Sequence, residues 1–361
     1  MRAAVLRSVP GDITIEDVQI DKPGPREVLV QTSAAGVCHS DLHYLTGAYD
    51  TPVPTVMGHE SAGVVRAVGD LVTYVKPGDH VVTSLSVFCG HCEYCLSGRM
   101  ALCPHEDTMR GPGDAPRLSQ HGEEVYQYAD VSSFAEELLV HEHALVKISP
   151  DMPLDRAALI GCAVTTGLGA VFRTAKVAPG DTVAIIGCGG VGLSAVQGAR
   201  IAGAGRIIAI DIVDAKLDMA RRFGATDTIN ATAVDPVGTV LEMTQGGVDH
   251  AFDAIGLAST PAQAFGMLRP AGTATIIGMI ALGTNIELPG VDFLAEKRIQ
   301  GSCMGSNQFR TDARRFIDFY FDGRLDLDSL VTGRRPLDEV GDALRDLGAG
   351  GGLARTVITF D

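Results

Sequence analysis

Hydrophobic positions change their spacing near the middle of the chain. The first part contains short, valine-rich segments such as EVLVQTSAAGV and GDHVVTS, bounded by Gly, Pro and Asp, a pattern typical of β-strands. From DTVAIIG onward, short apolar runs alternate with segments of helical periodicity such as DAKLDMARRFGA. This alternation predicts a parallel sheet built from βαβ units. Its predicted strands are TVAIIG, RIIAID, DTIN, VDHAFDAIG, TATIIGM and RIQGSCM.

The C-terminal tail leaves this alternation. It contains two amphipathic helical patterns, TDARRFIDFYFDG and DEVGDALRDLGAG, and a closing strand pattern, ARTVITFD. We expect the tail to rejoin the N-terminal domain. The predicted division is one domain of residues 1–164 and 306–361, and a second domain of residues 165–305. A chain of 361 residues is long enough for two such cores.

Composition and charge exclude some classes of function. The formal net charge is −15 and no long basic run occurs, which argues against nucleic acid or an anionic membrane as a partner. The N-terminal MRAAVLRSVPGD has no long apolar run typical of a secretory signal, and the most apolar stretches are short and broken by Gly. We therefore expect a cytoplasmic protein with neither a membrane nor a nucleic acid as its partner.

A glycine-rich turn follows the first predicted strand of the second domain. In IIGCGGVG, the residues Gly187, Gly189 and Gly192 form G-x-G-x-x-G before a helical pattern, and Asp211 ends the next strand 19 positions after Gly192. This arrangement is typical of a dinucleotide site, where glycines let the backbone approach a pyrophosphate at a helix N-terminus. Asp211 would accept hydrogen bonds from ribose hydroxyls and repel a 2′-phosphate, which favours NAD over NADP. The alternative is a glycine-rich turn without a ligand.

Four of the eight cysteines lie close together in the first domain. They follow the pattern C-x2-C-x2-C-x7-C within FCGHCEYCLSGRMALC. Four thiolates suit one tetrahedral Zn²⁺ with no open position, which is a structural site. An iron–sulfur cluster is the alternative, although the x7 gap differs from the ferredoxin spacing. His91 lies between these residues, and we interpret it as solvated. The predicted ligands are Cys89, Cys92, Cys95 and Cys103.

An ordered series of motifs gives the chain a family resemblance. Besides the four-cysteine segment and the glycine fingerprint, the chain contains CHSD, VMGHESAGVVRAVG, KPGDHV, IGCAVTTG and ARTVITF. Together they resemble the zinc-dependent medium-chain alcohol dehydrogenases over nearly the whole chain. The resemblance implies an α/β protein, in which a doubly wound Rossmann domain binds NAD and a β-rich, GroES-like catalytic domain carries the structural zinc lobe.

The resemblance also implies a second, catalytic zinc ion. Its ligands would be Cys38, His59 and Cys162. Three protein ligands leave the fourth tetrahedral position for water or substrate. The implied activity is the interconversion of alcohols and aldehydes or ketones by hydride transfer from a zinc-bound alkoxide to NAD. The implied cofactors are thus two Zn²⁺ per chain and NAD, and the implied partner is a small alcohol or aldehyde.

Residues beside these ligands receive roles from the same resemblance. Ser40 would accept the substrate proton, the nicotinamide ribose hydroxyls would carry it to His43, and His43 would deliver it to water. Asp41 would orient His59. Glu60 would lie near the metal, with a chemical and a structural role both open.

Cofactor contacts are implied on both domains. His39 stands where many family members carry an arginine that meets the pyrophosphate, and its lower charge at pH 7 predicts faster release of NADH. Arg355 resembles a second phosphate-contacting arginine, with a surface arginine on an edge strand as the alternative. Thr166 would face the nicotinamide ring. The remaining implied contacts are Gly187, Gly189, Gly190, Val191, Gly192, Asp211 and Lys216.

Two competing functions stay open. One is a formaldehyde dehydrogenase of the same family, acting on the S-hydroxymethyl adduct of a small thiol. GAYDTPVPTV shows no clear cluster of acidic residues at the expected pocket mouth, but Arg110 and Arg117 could bind acidic groups of such a substrate. The other is a zinc-ribbon binding protein, which the net charge and the Cys38, His59 and Cys162 set oppose. Family members form homodimers or homotetramers, and we expect one of these states.

Overall fold

The structure is a computed structural model that describes residues 1–104, 106–111 and 113–360, and the chain divides into two compact units. Unit 1 comprises Met1–Cys162, Gln308–Asp318 and Leu327–Asp361. Unit 2 comprises Ala163–Asn307 and Phe319–Asp326. The predicted domain ranges include His105, Pro112 and Asp361, which lie outside the described residues.

Unit 1 is rich in β-strands. Its helices are α1 (His39–Leu45), α2 (Glu93–Leu96), α3 (Leu154–Ala158) and α10 (Val340–Gly348). Its strands are β1 (Arg2–Leu6), β2 (Ile13–Asp17), β3 (Gln19–Ile20), β4 (Glu27–Gly36), β5 (Thr55–Val56), β6 (Ser61–Val68), β7 (His80–Thr83), β8 (Leu118–Gln120), β9 (Glu123–Glu124), β10 (Tyr126–Gln127), β11 (Glu137–His141), β12 (Leu145–Ile148), β19 (Val331–Pro336) and β20 (Arg355–Thr359).

The largest sheet of unit 1 is organised around β4. Its order is β12-β7-β6-β4-β20-β19, and β11 also pairs with β4. Val28 and Val30 lie two positions apart on one face of β4 and are both buried. Smaller sheets have the orders β10-β5-β1-β2 and β3-β8-β9. Since β20 lies between β4 and β19, Arg355 is on an interior strand, and the alternative of a surface arginine on an edge strand is wrong.

Unit 2 contains the predicted parallel sheet. Its order is β15-β14-β13-β16-β17-β18, and every neighbouring pair is parallel. All six predicted strands are present, and the order reverses at β13, as in a doubly wound fold. The strands are β13 (Thr182–Ile186), β14 (Arg206–Asp211), β15 (Asp227–Asn230), β16 (Val248–Asp253), β17 (Leu268–Ile276) and β18 (Arg298–Gly301). The helices are α4 (Ala163–Gly169), α5 (Gly190–Ala202), α6 (Asp214–Phe223), α7 (Pro236–Thr244) and α8 (Thr260–Gly266).

The tail differs from the predicted single range 306–361. Helix α9 (Phe309–Phe321) belongs to unit 1 up to Asp318, whereas Phe319–Asp326 belongs to unit 2. The Gln197 side chain explains this assignment, because it bonds both the N–H and the carbonyl of Asp326. Arg200 adds a bond to the Arg324 carbonyl. Such contacts between distant segments leave no periodic signal in the sequence.

Among the described residues, no single helix has the length and apolar composition needed to cross a membrane. One bent pair of helical segments, Leu154–Gly161 with Ala163–Ala175, passes that test by length and composition alone.

Candidate metal centres and nucleotide fingerprint

Unit 1 brings together three side chains that are far apart in the sequence. Single ligand atoms of Cys38, His59, Cys162 and the neighbouring Glu60 lie within 4.8 Å of one another, and all four residues are buried. Cys38 caps the N-terminus of α1, while His59 and Glu60 directly precede β6. Cys162 follows a short 3-10 helix. The implied catalytic ligand set is therefore a single cluster.

Asp41 connects two members of this cluster. It is the third residue of α1, and its Oδ2 accepts a hydrogen bond of 3.1 Å from the Cys38 N–H, the arrangement of a capping box. Its Oδ1 lies 3.1 Å from His59 Nδ1. Burial alone would lower the pKa of His59, but the Asp41 carboxylate raises it well above the ordinary histidine value. Burial raises the pKa of Asp41 itself.

The two thiols of the cluster are coupled by a hydrogen bond. The Cys162 thiol donates to Cys38, which lowers the pKa of Cys38 well below the ordinary thiol value despite burial. The same bond, together with burial, raises the pKa of Cys162. The lowered pKa favours the thiolate form of Cys38, and a bound divalent cation would favour loss of both thiol protons.

The residues of the cluster fit a zinc ion. Asp41 holds Nδ1 of His59, and within the described part of the chain the buried Nε2 makes no hydrogen bond. A buried nitrogen left in this way costs free energy unless it binds something. Two sulfurs and one imidazole nitrogen are a ligand set that zinc prefers, with a position left open. In metal sites the second ring nitrogen of a ligand histidine typically donates to a carboxylate, a backbone carbonyl or water. Here the second nitrogen of His59 bonds the Asp41 carboxylate.

Arg355 lies inside the cluster. Its guanidinium donates to the Val37 carbonyl at 2.9 Å, and Nη2 lies 3.6 Å from Cys38 Sγ and 3.8 Å from Glu60 Oε2. Gly36 makes room for this carboxylate, because an added Cβ would lie 2.7 Å from Glu60 Cδ. The buried positive charge offsets the negative charge of the thiolate and of Glu60. A phosphate contact by Arg355, implied by the family resemblance, stays a prediction.

Helix α1 carries the remaining candidate site residues of the segment CHSDLH, residues 38–43. Ser40 Oγ is 3.6 Å from Cys38 Sγ, so its hydroxyl adjoins the cluster. His43 follows one turn later, and its half-buried ring contacts the ring of Tyr49. Burial lowers the pKa of His43 from 6.5. His39 is exposed at the start of the helix.

Two residues next to His59 were not identified from the sequence. The ring of Tyr128 meets the His59 ring edge-on, with centroids 5.5 Å apart. Ser133 hydrogen bonds to the backbone on both sides of His59. Both residues lie in the segment YADVSS, where the adjacent serines were the only available signal.

The four-cysteine segment forms a second cluster in unit 1. All eight cysteines of the chain have free thiols, and Cys89, Cys92, Cys95 and Cys103 place their sulfurs within 4.8 Å of one another. The sulfurs of Cys89 and Cys95 are 3.9 Å apart, and those of Cys92 and Cys103 are 3.7 Å apart. Tetrahedral zinc with ordinary Zn–S bonds requires a separation of about 3.8 Å. This spacing suits one ion, whereas an iron–sulfur cluster would spread the thiolates over several metal atoms.

Backbone N–H groups donate hydrogen bonds to the sulfurs of this second cluster, which favours the thiolate forms that a metal ion binds. Those of Cys89, Gly90, Cys92 and Cys95 donate to cysteine sulfurs over 3.3–3.5 Å. Backbone donors lower the pKa of Cys89 to about 6, whereas burial raises that of Cys95 to about 12. His91 is exposed and pairs with Asp107 at 3.0 Å.

The glycine fingerprint of unit 2 connects β13 to α5. Gly187 has φ +95°, and an added Cβ at Gly192 would lie 1.7 Å from the Gly187 carbonyl oxygen, so the turn itself requires glycine at both positions. Gly189 differs, because an added Cβ would meet no atom of the described residues within 4 Å. Packing inside the protein does not explain glycine at 189, whereas a closely approaching ligand would.

Asp211, at the end of β14, organises the fingerprint turn. Its carboxylate accepts N–H groups of Cys188 at 2.7 Å, Ile212 at 2.8 Å and Val213 at 3.1 Å. Carboxylate oxygens have further lone pairs, so these bonds leave acceptor capacity for ribose hydroxyls.

Three other cofactor candidates belong to unit 2. Gly190 and Val191 form the first turn of α5. Lys216, on α6, is near enough to Cys188 for its charge to act on that thiol. Thr166, on α4, is buried and donates to the Met304 sulfur at 3.4 Å.

Arg110 and Arg117 are both bound within the protein. Both donate to the Glu27 carboxylate, and Arg110 also pairs with Asp21. Arg117 is buried and donates as well to the Thr108 carbonyl. Their charges are therefore largely compensated by acidic groups of the chain itself.

Comparison with known proteins defines the class. Residues 24–150 match the alcohol dehydrogenase GroES-like domain, and residues 190–319 match the zinc-binding dehydrogenase domain. Together with the fold and the two clusters, these matches define an oxidoreductase with a zinc-binding catalytic domain. The chain belongs to the zinc-dependent medium-chain alcohol dehydrogenase family, which confirms the resemblance noted in its motifs.

Particular relatives cover the full length. S-(hydroxymethyl)glutathione dehydrogenase of Escherichia coli is 41% identical over 369 aligned residues, covering 99% of each protein. Benzyl alcohol dehydrogenase from Acinetobacter calcoaceticus has a TM-score of 0.93 and 33% identity, covering 100% of this chain and 99% of that one. An alcohol dehydrogenase zinc-binding domain protein from Burkholderia ambifaria has a TM-score of 0.94 and 36% identity, covering 100% and 98%.

Proposed function

We propose that the protein is an NAD-dependent alcohol dehydrogenase with two Zn²⁺ per chain, one catalytic and one structural. The observation that carries the proposal is the buried cluster of Cys38, His59 and Cys162, in which the His59 Nε2 is left for a metal ion. The family membership and the glycine fingerprint support the same activity. The cytoplasm and a homodimer or homotetramer stay predictions.

The chain's own residues would prepare the alcohol for oxidation. Bound zinc would supply Lewis acidity that lowers the pKa of the alcohol hydroxyl, and Cys38, His59 and Cys162 would hold it. Ser40, beside Cys38, accepts the proton that the alcohol loses. The ribose hydroxyls of bound NAD would carry that proton to His43, one turn along α1, and His43 would pass it to water. Because burial lowers the pKa of His43, the residue stays neutral and able to accept a proton below the usual histidine range.

NAD is the proposed hydride acceptor. Gly189 leaves open space at the fingerprint, and the N-terminus of α5 supplies backbone N–H donors for a pyrophosphate. Asp211 would repel the 2′-phosphate of NADP, which favours NAD. Thr166 and Lys216 from unit 2, and His39 and Arg355 from unit 1, remain proposed contacts.

The proposed substrates are uncharged primary or secondary alcohols and the corresponding aldehydes or ketones. An aromatic cluster adjoins His59, because Tyr128 contacts both His59 and Tyr44, and Tyr44 contacts Tyr49. Such rings suit a flat, apolar substituent. Benzyl alcohol is therefore the first substrate to test.

An S-hydroxymethyl thiol adduct is the second candidate, favoured by the name of the 41% identical relatives. Arg110 and Arg117 were the cations expected to hold its acidic groups, and both are occupied by Glu27. This arrangement argues that the adduct is the weaker substrate.

One assay separates the candidates. NADH formation is followed with a panel of alcohols that includes benzyl alcohol, with glutathione plus formaldehyde, and with NADP in place of NAD, while the metal content of the same sample is measured. We expect two zinc ions per chain, a preference for NAD, and a higher kcat/KM for benzyl alcohol than for the adduct. A higher kcat/KM for the adduct would favour the second candidate, and two zinc ions without any turnover would reject both.

A further inference from the structure

The two peptide groups that flank His59 are both bonded to one residue, Ser133. The Ser133 N–H donates to the Gly58 carbonyl at 2.8 Å, and the Ser133 hydroxyl accepts from the Glu60 N–H at 3.1 Å. Ser133 is fully buried. Water therefore cannot replace the hydroxyl bond to the Glu60 N–H when Ser133 is changed to alanine.

The loop that carries Ser133 has an unusual backbone. Ala129 has φ 53°, Asp130 has φ 57° and Ser132 has φ 59°, values that residues other than glycine rarely adopt. A backbone conformation with positive φ persists at such residues only where the surrounding structure holds it, and residues of this kind cluster at functional sites. Contact with the segment that carries His59 is one such constraint.

The contact between the loop and this segment is close. Gly58 has φ +90°, and an added Cβ would lie 2.6 Å from both the Phe134 nitrogen and Ser133 Oγ. The Phe134 N–H also donates to the Met57 carbonyl at 2.9 Å. The glycine is thus needed for Ser133 to reach both sides of His59.

We propose that Ser133 is a positioning residue that fixes the backbone of His59 so that Nε2 is held toward the two thiols. This inference rests on the proposed zinc centre. Asp41 fixes the imidazole through Nδ1, and Tyr128, from the same loop as Ser133, packs against the ring. Neither contact restrains the backbone of His59. Ser133 does so, and the site then binds zinc without first ordering its histidine ligand.

The test compares Ser133→Ala with two matched variants. Ser132→Ala removes the adjacent buried hydroxyl, which donates to the Val56 carbonyl and not to the peptides beside His59. Ser133→Thr keeps a hydroxyl at position 133. For each purified protein, the release of both metal ions to a chelator is followed, with the four-cysteine site as internal reference. The visible absorption of Co²⁺ placed in the catalytic site is recorded as well.

We expect Ser133→Ala to release the catalytic ion about 10- to 100-fold faster while the four-cysteine ion is retained. The Co²⁺ spectrum should change, because the geometry at His59 changes. Ser133→Thr should restore both readouts, and Ser132→Ala should match the parent.

Three outcomes would overturn the inference: a parent-like release rate in Ser133→Ala, equal acceleration in Ser132→Ala, or loss of both ions together with a lowered melting temperature. A parent that binds only the four-cysteine ion would instead reject the proposed catalytic centre. The two failures are therefore distinguishable.

Discussion

Asp41 Oδ1 lies 3.1 Å from His59 Nδ1, and both side chains are buried. The same carboxylate caps α1 at Cys38, so one residue sets the position of two proposed zinc ligands. The N-terminus of α1, which begins within the segment CHSDLH at residues 38–43, is therefore part of the proposed metal centre. It also explains why a carboxylate is placed in such a buried position.

Asp41→Asn should weaken the catalytic zinc site. The amide cannot supply the negative charge that holds the His59 Nδ1 proton, and changes at such supporting groups typically cost about 10- to 100-fold in metal affinity or activity. Metal content after dialysis against a graded chelator measures the effect. Asp107→Asn is the matched control, because it alters an exposed histidine–aspartate pair, that of His91. Equal zinc retention in Asp41→Asn and the parent would contradict the assigned role.

Cys38→Ser should lose the catalytic zinc and keep the structural one. Serine is a poor zinc ligand at neutral pH because its hydroxyl stays protonated, whereas the four-cysteine cluster shares no side chain with the Cys38 cluster. The expected metal analysis is one zinc per chain with no alcohol turnover. Cys188→Ser provides the control, since Cys188 is buried outside both clusters. Loss of all zinc from Cys38→Ser would show that the two centres are not independent.

His43→Gln should keep both zinc ions and slow turnover mainly at low pH. Burial lowers the pKa of His43 from 6.5, so in the parent the neutral base persists below that pH and is lost only as the pH falls further. Glutamine cannot take up the proton, and free solvent base is scarce in acid. The profile of kcat against pH measures this effect. A variant profile that follows the parent throughout would remove His43 from the proton path.

Glu27→Gln should destabilise unit 1. Burial opposes its ionisation, but Arg110 and Arg117 outweigh burial and lower the pKa of Glu27 from 4.5 to about 2. The ionised carboxylate therefore stabilises the fold fully above pH 4.5, and this contribution disappears as the pH falls through about 2. Removing one partner of a buried ion pair costs about 3–5 kcal/mol.

Urea unfolding of parent and Glu27→Gln at several pH values tests this contribution. The difference in the free energy of unfolding should be largest near neutral pH and shrink between pH 4.5 and 2. Glu124→Gln, at an exposed position, should match the parent. A difference that does not vary with pH would mean that the carboxylate charge is not the cause.

Part of the site could be predicted because it follows local rules. The sequence shows two continuous patterns. One is the glycine fingerprint with its strand and helix, and the other is the segment of four closely spaced cysteines. His141 shows where local rules fail, because a histidine at the end of a strand is ordinarily only partly buried. In the structure His141 is buried, and burial lowers its pKa to about 4. Its burial depends on strand β11 pairing with β4, which local sequence does not reveal.

The sequence by itself determined the α/β class, the parallel strands of unit 2 and the family, because hydrophobic periodicity and spaced motifs are local properties of the chain. It determined the candidate ligands Cys38, His59 and Cys162 only through the family resemblance. Only the tertiary structure decided that these side chains form one cluster and that Arg355 is buried beside it. It also decided that Ser133 hydrogen bonds to the peptide groups on both sides of His59. Those relations arise from pairing between distant segments, whose energetics depend on packing and burial rather than on neighbouring residues.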